Sequence, residues 1–88
     1  MKFFLDTANL DEIKIANSYG ILDGVTTNPS LMAKEGIADQ DTRIKEICEI
    51  TDGPVSSEVL ATDTAGMLTE GRHLAGLAHN VAVKLPLT

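Results

Sequence analysis

The sequence holds few of the features that mark secreted, membrane-spanning or disulfide-bonded proteins. Its 88 residues include one cysteine, Cys48, which has no second cysteine to pair with, so the expected compartment is a reducing cytoplasm. No apolar run approaches the roughly 20 residues that a helix needs to span a bilayer. The start, MKFFLD, meets Asp6 after one lysine and does not resemble a signal peptide.

Basic residues and nucleotide-binding motifs are also scarce. Seven Lys and Arg residues stand against 13 Asp and Glu residues, a net charge of -6 that argues against binding nucleic acid or an anionic membrane. No GxGxxG or GxxxxGK motif follows a predicted strand, which excludes the dinucleotide-binding and P-loop classes. No Cys/His cluster predicts a metal site. Apolar residues at 43% and charged residues at 23% are ordinary globular usage, and the length suits one small domain.

What the sequence does contain is a strict alternation of strand and helix signals. Short β-rich runs predict strands at 2–6, 24–28, 55–61 and 81–87, and helical spacing predicts helices at 9–20, 28–36, 39–51 and 62–80. The order β-α-β-α-α-β-α-β favours a parallel α/β sheet with right-handed crossovers, either open or closed into a barrel. A (β/α)8 barrel needs about 250 residues, so four strands would form half of one.

Helix start signals support these boundaries. Asn9, with Glu12 three residues later, predicts the N-cap of the first helix, and Pro29 suits the first position of the second. Thr62 or Asp63 is expected to cap the last helix. The apolar face of the third helix should hold Ile44, Ile47, Cys48 and Thr51.

Polar side chains recur where the predicted strands end. In parallel α/β folds the reactive groups collect at the carboxyl ends of the strands, and those ends carry Asp6, Thr26, Asn28, Glu58 and Lys84. Because side chains alternate along a strand, Thr26 and Asn28 share a face. The same alternation sets Lys84, with Ala82 and Pro86, opposite Val81, Val83 and Leu85, so Lys84 is expected to point away from the helices.

Four stretches in order resemble the small transaldolases and the related fructose-6-phosphate aldolases: LDTAN (5–9), GVTTNPSLMAKEG (24–36), SEVLATDTAGM (57–67) and VAVKLPLT (81–88). The combination of GVTTNPS with VKLP is specific. The resemblance implies the N-terminal half of a (β/α)8 TIM barrel, with residues 1–88 as a single partial domain holding four parallel strands and their helices. It also implies a cytoplasmic homo-oligomer that acts on sugar phosphates without a cofactor or metal.

The resemblance also assigns roles to the strand-end residues. Lys84 would form a Schiff base with the sugar carbonyl, Asp6 would transfer a proton, and Glu58 would act through a water molecule. Thr26 and Asn28 would bind substrate hydroxyls. Position 58 is glutamate in transaldolases and glutamine in some of the aldolases, which favours a transaldolase.

The implied reaction moves a dihydroxyacetone unit from sedoheptulose 7-phosphate or fructose 6-phosphate to an aldose phosphate in the pentose phosphate pathway. The alternatives are fructose-6-phosphate aldolase and, in another class, an inactive half-barrel fragment. The family's fifth-strand threonine and phosphate-binding residues have no counterpart in these 88 residues. We therefore expect the chain, whether a truncated, cleaved or naturally short form, to show no turnover alone.

The chemistry sets a requirement on the lysine. A free lysine, with a pKa of about 10.4, is almost entirely protonated at pH 7, and only the neutral amine attacks a carbonyl. Burial among apolar residues favours the neutral form, whereas a nearby ionised carboxylate favours the protonated one.

Each candidate residue also has an ordinary structural interpretation. Lys84 could extend to solvent from a strand end, and Asp6 could cap a helix. Asn28 could serve as cap and site residue together. Glu58 could be solvated, and Thr26 is a common strand residue.

The edges of half a barrel predict association. The first and last strands would lack neighbours, and the barrel interior would be open. We expect the chain to pair with another copy, pack against a missing half, or lack order near residues 81–88.

Overall fold

The computed structural model describes residues 2–20, 22–60 and 63–84, and within them four strands alternate with four helices. The elements are β1 (Phe4–Asp6), α1 (Leu10–Ser18), β2 (Gly24–Thr27), α2 (Pro29–Lys34), α3 (Gln40–Ile50), β3 (Val55–Glu58), α4 (Thr64–Ala75) and β4 (Val81–Lys84). Their order is the predicted one. Among the described residues, no helix combines the length and the hydropathy that crossing a membrane requires.

The four strands form one parallel sheet in the order β1-β2-β3-β4. Successive strands in sequence are neighbours in space, and each crossover carries one or two helices. This confirms the predicted fold class, four parallel strands with covering helices as in the N-terminal half of a (β/α)8 barrel. In that order β1 and β4 are the two edge strands.

Side-chain caps start the helices where the sequence predicts. Asn9 Oδ1 accepts a hydrogen bond of 2.9 Å from the backbone N–H of Glu12, and Pro29 occupies the first turn of α2. Of the two residues proposed to cap α4, Asp63 performs the role, since its carboxylate accepts from the N–H of Gly66 at 3.2 Å. Such caps satisfy backbone donors that have no partner inside the helix.

The elements are shorter than predicted. Helix α1 ends at Ser18, and Gly20 follows with a φ of 71°, a left-handed conformation that stops the helix. Helix α4 ends at Ala75 because the chain turns through residues 76–80 to enter β4. Strand β3 ends at Glu58, and the predicted continuation of β4 through 85–87 lies outside the described residues.

The hydrophobic core lies between the sheet and the helices. Its fully buried members include Ile13 of α1, Val25 of β2, Ile47 of α3 and Val55 of β3. The predicted apolar face of α3 is confirmed, because the side chains of Ile44, Ile47, Cys48 and Thr51 are all buried. The core therefore covers one face of the sheet and leaves the other to carry polar side chains.

A close approach of backbones joins the start of β2 to the turn before β3. A Cβ atom on Gly53 would lie 1.7 Å from the carbonyl oxygen of Asp23, so no larger residue fits without a shift of the turn. A Cβ atom on Gly24 would lie 2.6 Å from the oxygen of Pro54 and 3.1 Å from Phe4 Cε1. These contacts set how β2 and β3 lie together.

Candidate active site

The open face of the sheet carries the predicted site residues in two rows. In the lower row Asp6 pairs with Thr26, Thr26 with Ser56, and Ser56 with Ala82 across the four strands. Because alternate side chains share a face, the residues two positions further along these strands point the same way.

The upper row holds the lysine. Glu58 and Lys84 are register partners at the ends of β3 and β4. Asn28 follows Thr27, which pairs with Ser57, so Asn28 lies beside Glu58 at the next position. The structure thus places Asn28, Glu58 and Lys84 along one rim, with Asp6 and Thr26 one row below.

Alternating burial shows which way β4 faces. Val81 and Val83 are half-buried against the helix layer, whereas Ala82 and Lys84 are exposed on the other face. Asp6 is exposed as well, and the side chains of Thr26, Asn28 and Glu58 are half-buried.

The Lys84 side chain is exposed within the described residues. Lys84 lies on an edge strand, and its face of the sheet has no covering layer among the described residues. Desolvation of the amine would therefore have to come from groups on the far side of the open face.

The charged site residues are unpaired within the described ranges. The ion pairs found there join Arg43 to Glu46 and His73 to Asp41, and neither includes Lys84, Asp6 or Glu58.

Asn28 fills the capping role that the sequence suggested for it. Its Oδ1 accepts a 3.0 Å hydrogen bond from the N–H of Leu31 and so caps α2. This bond orients the amide and leaves the Nδ2 group able to donate to a ligand oxygen. Asp6 does not cap the following helix, since Asn9 does.

Three hydrogen bonds hold the loop that follows Asp6. The Thr7 N–H donates to the Thr26 carbonyl at 2.9 Å, and Thr7 Oγ1 accepts from the Asn9 N–H at 3.0 Å. From α3, Arg43 Nη1 donates to the Ala8 carbonyl at 2.7 Å. Sequence patterns do not reveal the Arg43 contact, because it joins residues 35 positions apart.

A cavity of about 180 Å³ opens next to the rim, on the helix side of the sheet. Asn28 and Glu58 line it together with Asp41 and His73, whose Oδ2 and Nε2 atoms lie 2.6 Å apart. The buried hydroxyl groups of Thr27 and Ser57, which also line it, have no hydrogen-bond partner among the described residues. No sequence pattern predicts this cavity, because its lining comes from elements far apart in the chain.

Two further residues on the open face went unnoticed in the sequence. Ser56 lies between Thr26 and Ala82 in the lower row, and Phe4 lies over Gly24 with its side chain 53% exposed. The alternation of side chains along a strand predicts both positions, because Ser56 shares a face with Glu58 and Phe4 shares a face with Asp6.

The remaining titratable groups include a buried thiol and a capping carboxylate. Burial raises the pKa of the Cys48 thiol, which makes this cysteine a poor nucleophile and agrees with its place in the core. Hydrogen bonds from the side chain and backbone of Thr42 lower the pKa of the Asp39 carboxyl at the start of α3. Over residues 2–20, 22–60 and 63–84, no three His, Cys, Asp or Glu side chains are grouped to hold a metal ion.

Comparisons with known proteins agree with this architecture. A family model described as transaldolase/fructose-6-phosphate aldolase matches residues 3–88. A probable transaldolase of Porphyromonas gingivalis is 60% identical over 91 residues, which cover 100% of this chain and 41% of the relative. A probable transaldolase of Parabacteroides distasonis is 62% identical over 89 residues, covering 98% of this chain and 41% of the relative. One from Bacillus cereus is 58% identical over 88 residues, covering 100% and 40%. The chain spans about two fifths of the length of these curated relatives, and it belongs to the transaldolase/fructose-6-phosphate aldolase family.

Proposed function

We propose that this chain carries the Schiff-base half of a transaldolase, which transfers a three-carbon dihydroxyacetone unit from a ketose phosphate to an aldose phosphate. The observation that carries the proposal is the register pairing of Glu58 with Lys84 on the open face of the sheet. It sets an amine and a carboxylate side by side at the strand ends, where enzymes with this architecture bind substrate. Family membership supports the same reaction class.

Lys84 is the proposed nucleophile. Its neutral Nζ adds to the ketose carbonyl carbon to form a carbinolamine, which loses water to give an iminium ion. The iminium withdraws electrons from the neighbouring carbon–carbon bond. It therefore performs the role of electron sink, and the reaction needs no metal or cofactor.

The carboxylates have separate roles. Asp6 removes the proton from the substrate hydroxyl as the carbon–carbon bond breaks, which releases an aldehyde and leaves an enamine on Lys84. Glu58, directly beside Lys84, exchanges protons through a water molecule while the carbinolamine forms and dehydrates.

Thr26 and Asn28 hold the sugar hydroxyls. The capping bond to Leu31 orients the Asn28 amide so that its Nδ2 group is available to a substrate oxygen. The enamine then attacks the acceptor aldose phosphate, and hydrolysis of the new iminium frees Lys84. This reaction belongs to the pentose phosphate pathway of the cytoplasm, and we expect the complete enzyme to be a homo-oligomer.

A fusion tests the chemistry. This chain is joined covalently to the portion of the Porphyromonas gingivalis relative that lies outside its match, so that the length of the relatives is restored. Borohydride reduction in the presence of fructose 6-phosphate should trap one covalent adduct, which intact mass spectrometry detects and peptide mapping should place on Lys84. An adduct elsewhere, or none, would contradict the proposal.

The second candidate is fructose-6-phosphate aldolase, which the family description also includes. Adding erythrose 4-phosphate separates the two, because a transaldolase passes the three-carbon unit to the acceptor, whereas an aldolase releases free dihydroxyacetone. The carboxylate at position 58 favours transfer. The third candidate is an inactive half-barrel that forms the single partial domain 1–88. It predicts that borohydride traps no fructose 6-phosphate adduct on Lys84, even in the fusion.

A further inference from the structure

The cavity beside the rim, on the helix side of the sheet, has a buried end and a more exposed end. The buried end is lined by side chains from β2, β3 and the three helices that follow β2, which are Thr27, Met32, Ile44, Ser57 and Leu74. The more exposed end, hereafter the mouth, carries the charged and titratable side chains, which are Asp41, Glu58, Glu70 and His73. The cavity is thus largely apolar inside and charged where it opens.

Two hydroxyl groups in the buried end lack hydrogen-bond partners. Thr27 and Ser57 are register partners on β2 and β3, and they are only 1% and 3% exposed. Their Oγ atoms have no partner among the described residues, which is a costly arrangement for buried polar groups. Because adjacent strands lie about 4.8 Å apart, one ligand hydroxyl placed between these two groups can bond to both. A hydroxyl suits the position, since it can donate and accept as they do.

The charges at the mouth favour a cation. Carboxylates of Asp41, Glu58 and Glu70 line the cavity, and no lysine or arginine of the described residues does. The one basic group among these lining side chains is the His73 imidazole, whose Nε2 lies 2.6 Å from Asp41 Oδ2. A phosphate or a carboxylate would meet like charges here. The cavity therefore does not suit the sugar phosphates of the proposed reaction, whereas an ammonium group would be attracted to it.

The volume and the walls of the cavity limit the rest of the ligand. A water molecule occupies about 30 Å³ in the liquid, so a cavity of about 180 Å³ has room for about six waters or an organic molecule of similar extent. The buried side chains of Met32, Ile44 and Leu74 offer water no hydrogen bonds. Methylene groups can cover these side chains, so a short aliphatic chain fills this part of the cavity better than water does.

We propose that this cavity binds a short amino alcohol. Its hydroxyl group bonds to Thr27 and Ser57, its methylene groups lie on the apolar wall, and its ammonium group meets the carboxylates at the mouth. The cavity lies on the helix side of the sheet, whereas the Lys84 side chain is exposed on the opposite face. The proposed site is therefore separate from the proposed nucleophile, although Glu58 at the rim borders both.

Three probes of equal length test the proposal. They are 4-amino-1-butanol, pentylamine, which has a methyl group in place of the hydroxyl, and 1,4-butanediol, which has a hydroxyl in place of the ammonium. Each is titrated into the isotope-labelled chain and followed by two-dimensional NMR. We expect saturable shifts at residues that line the cavity, and an affinity for 4-amino-1-butanol about tenfold higher than for either of the other probes.

Each end of the cavity has its own variant. Thr27→Val removes a buried hydroxyl at nearly constant shape, so it should abolish the preference for 4-amino-1-butanol over pentylamine and retain the preference over 1,4-butanediol. Asp41→Asn should have the reverse effect, because it removes a negative charge at the mouth. Glu49→Gln, on α3 but outside the cavity, is the matched control and should change neither preference. The NMR spectrum of each unliganded variant verifies that it folds, and Ser57→Ala replaces Thr27→Val if the latter does not.

Several results would overturn the proposal. Equal affinities for the three probes would refute the assignment of the two ends, as would loss of both preferences in Glu49→Gln. Shifts that do not saturate would show that the cavity holds water alone, and shifts confined to the open face would place the ligand elsewhere. Because these titrations contain neither a sugar phosphate nor borohydride, their failure is distinguishable from failure of the chemistry proposed for Lys84.

Discussion

Glu58 and Lys84 lie opposite each other in register at the carboxyl ends of two adjacent parallel strands, on the face of the sheet that no helix of the described residues covers. A shift of β4 by one residue would turn Lys84 into the helix layer and separate it from Glu58. Whatever holds the register of β3 and β4 therefore positions the proposed chemistry.

Replacing the lysine tests the nucleophile. Lys84→Ala in the fusion should abolish the borohydride-trapped adduct, because no amine remains at the site. Lys84→Arg should fail equally, since a guanidinium stays protonated near pH 7 and cannot add to a carbonyl. Lys45→Arg, on the exposed surface of α3, serves as the matched control and should trap normally. Near-normal turnover in either Lys84 variant would show that another group attacks the sugar.

Glu58→Gln tests the proton exchange. We expect transfer to erythrose 4-phosphate to fall by about a hundredfold, since an amide cannot exchange protons with a neighbouring water as a carboxylate does. The adduct on Lys84 should still form, but more slowly, because the amine is unchanged. Coupled assays measure the rate of transfer, and borohydride trapping stopped at successive times measures how fast the Lys84 adduct forms. Glu49→Gln, exposed on α3, is the control, and an equal loss there would remove the argument for Glu58.

Asn80 is expected to stabilise the chain by holding the start of β4 against the segment that precedes β3. Its Nδ2 group donates to the carbonyls of Cys48, Thr51 and Gly53 at 3.3, 3.0 and 3.1 Å. Asn80→Ala should lower the free energy of unfolding by about 1–3 kcal/mol, because part-buried carbonyls lose their donor. Urea denaturation of the chain measures this change.

The control for Asn80 is Asn17→Ala. Asn17 donates to the single exposed carbonyl of Ile50, which water can satisfy after the substitution. Its effect should stay below about 1 kcal/mol. If the two variants had equal free energies of unfolding, the three hydrogen bonds of Asn80 would stabilise the chain no more than the single bond of Asn17.

Two glycines should respond to alanine in opposite directions. At Gly53 the new methyl group would collide with the Asp23 carbonyl, so Gly53→Ala should destabilise the chain by about 1–3 kcal/mol. At Gly71 the methyl group would make ordinary contact with Val83, and alanine favours the helix by up to about 1 kcal/mol. Thermal denaturation of both variants measures the difference, and a stabilising Gly53→Ala would show that the turn is freer than the structure indicates.

The pH dependence of stability should include a contribution from Asp39. Hydrogen bonds from Thr42 lower the pKa of this carboxyl in the folded chain, so its contribution is fully present above the ordinary aspartate pKa. It is lost as the pH falls through that ordinary value to the lower folded one. Asp39→Ser retains a capping oxygen but does not titrate. Its free energy of unfolding, measured by urea denaturation, should be lower than that of the parent near neutral pH, and the difference should shrink as the pH is lowered. A deficit that stays constant with pH would contradict this account.

The order of the elements, the starts of the helices and the faces of the strands follow from the sequence alone. These features are local: a capping side chain acts on an N–H three residues away, as Asn9 does with Glu12, and alternation sets Lys84 opposite Val83. The candidate site residues could be proposed from the same alternation together with the family resemblance. Their roles stay predictions until the fusion is assayed.

Where the elements end and which distant groups meet depend on tertiary packing. Helix α4 stops at Ala75, and Asn80 beyond it donates to carbonyls 27 to 32 residues earlier in the chain. The pairs His73–Asp41 and Arg43–Ala8 span similar separations. No local pattern encodes such contacts, since they arise when packed helices bring remote side chains together. The exposure of Lys84 also depends on distant groups. Whether a strand-end lysine is enclosed depends on what lies across the open face of the sheet, and the sequence of the strand does not specify those groups.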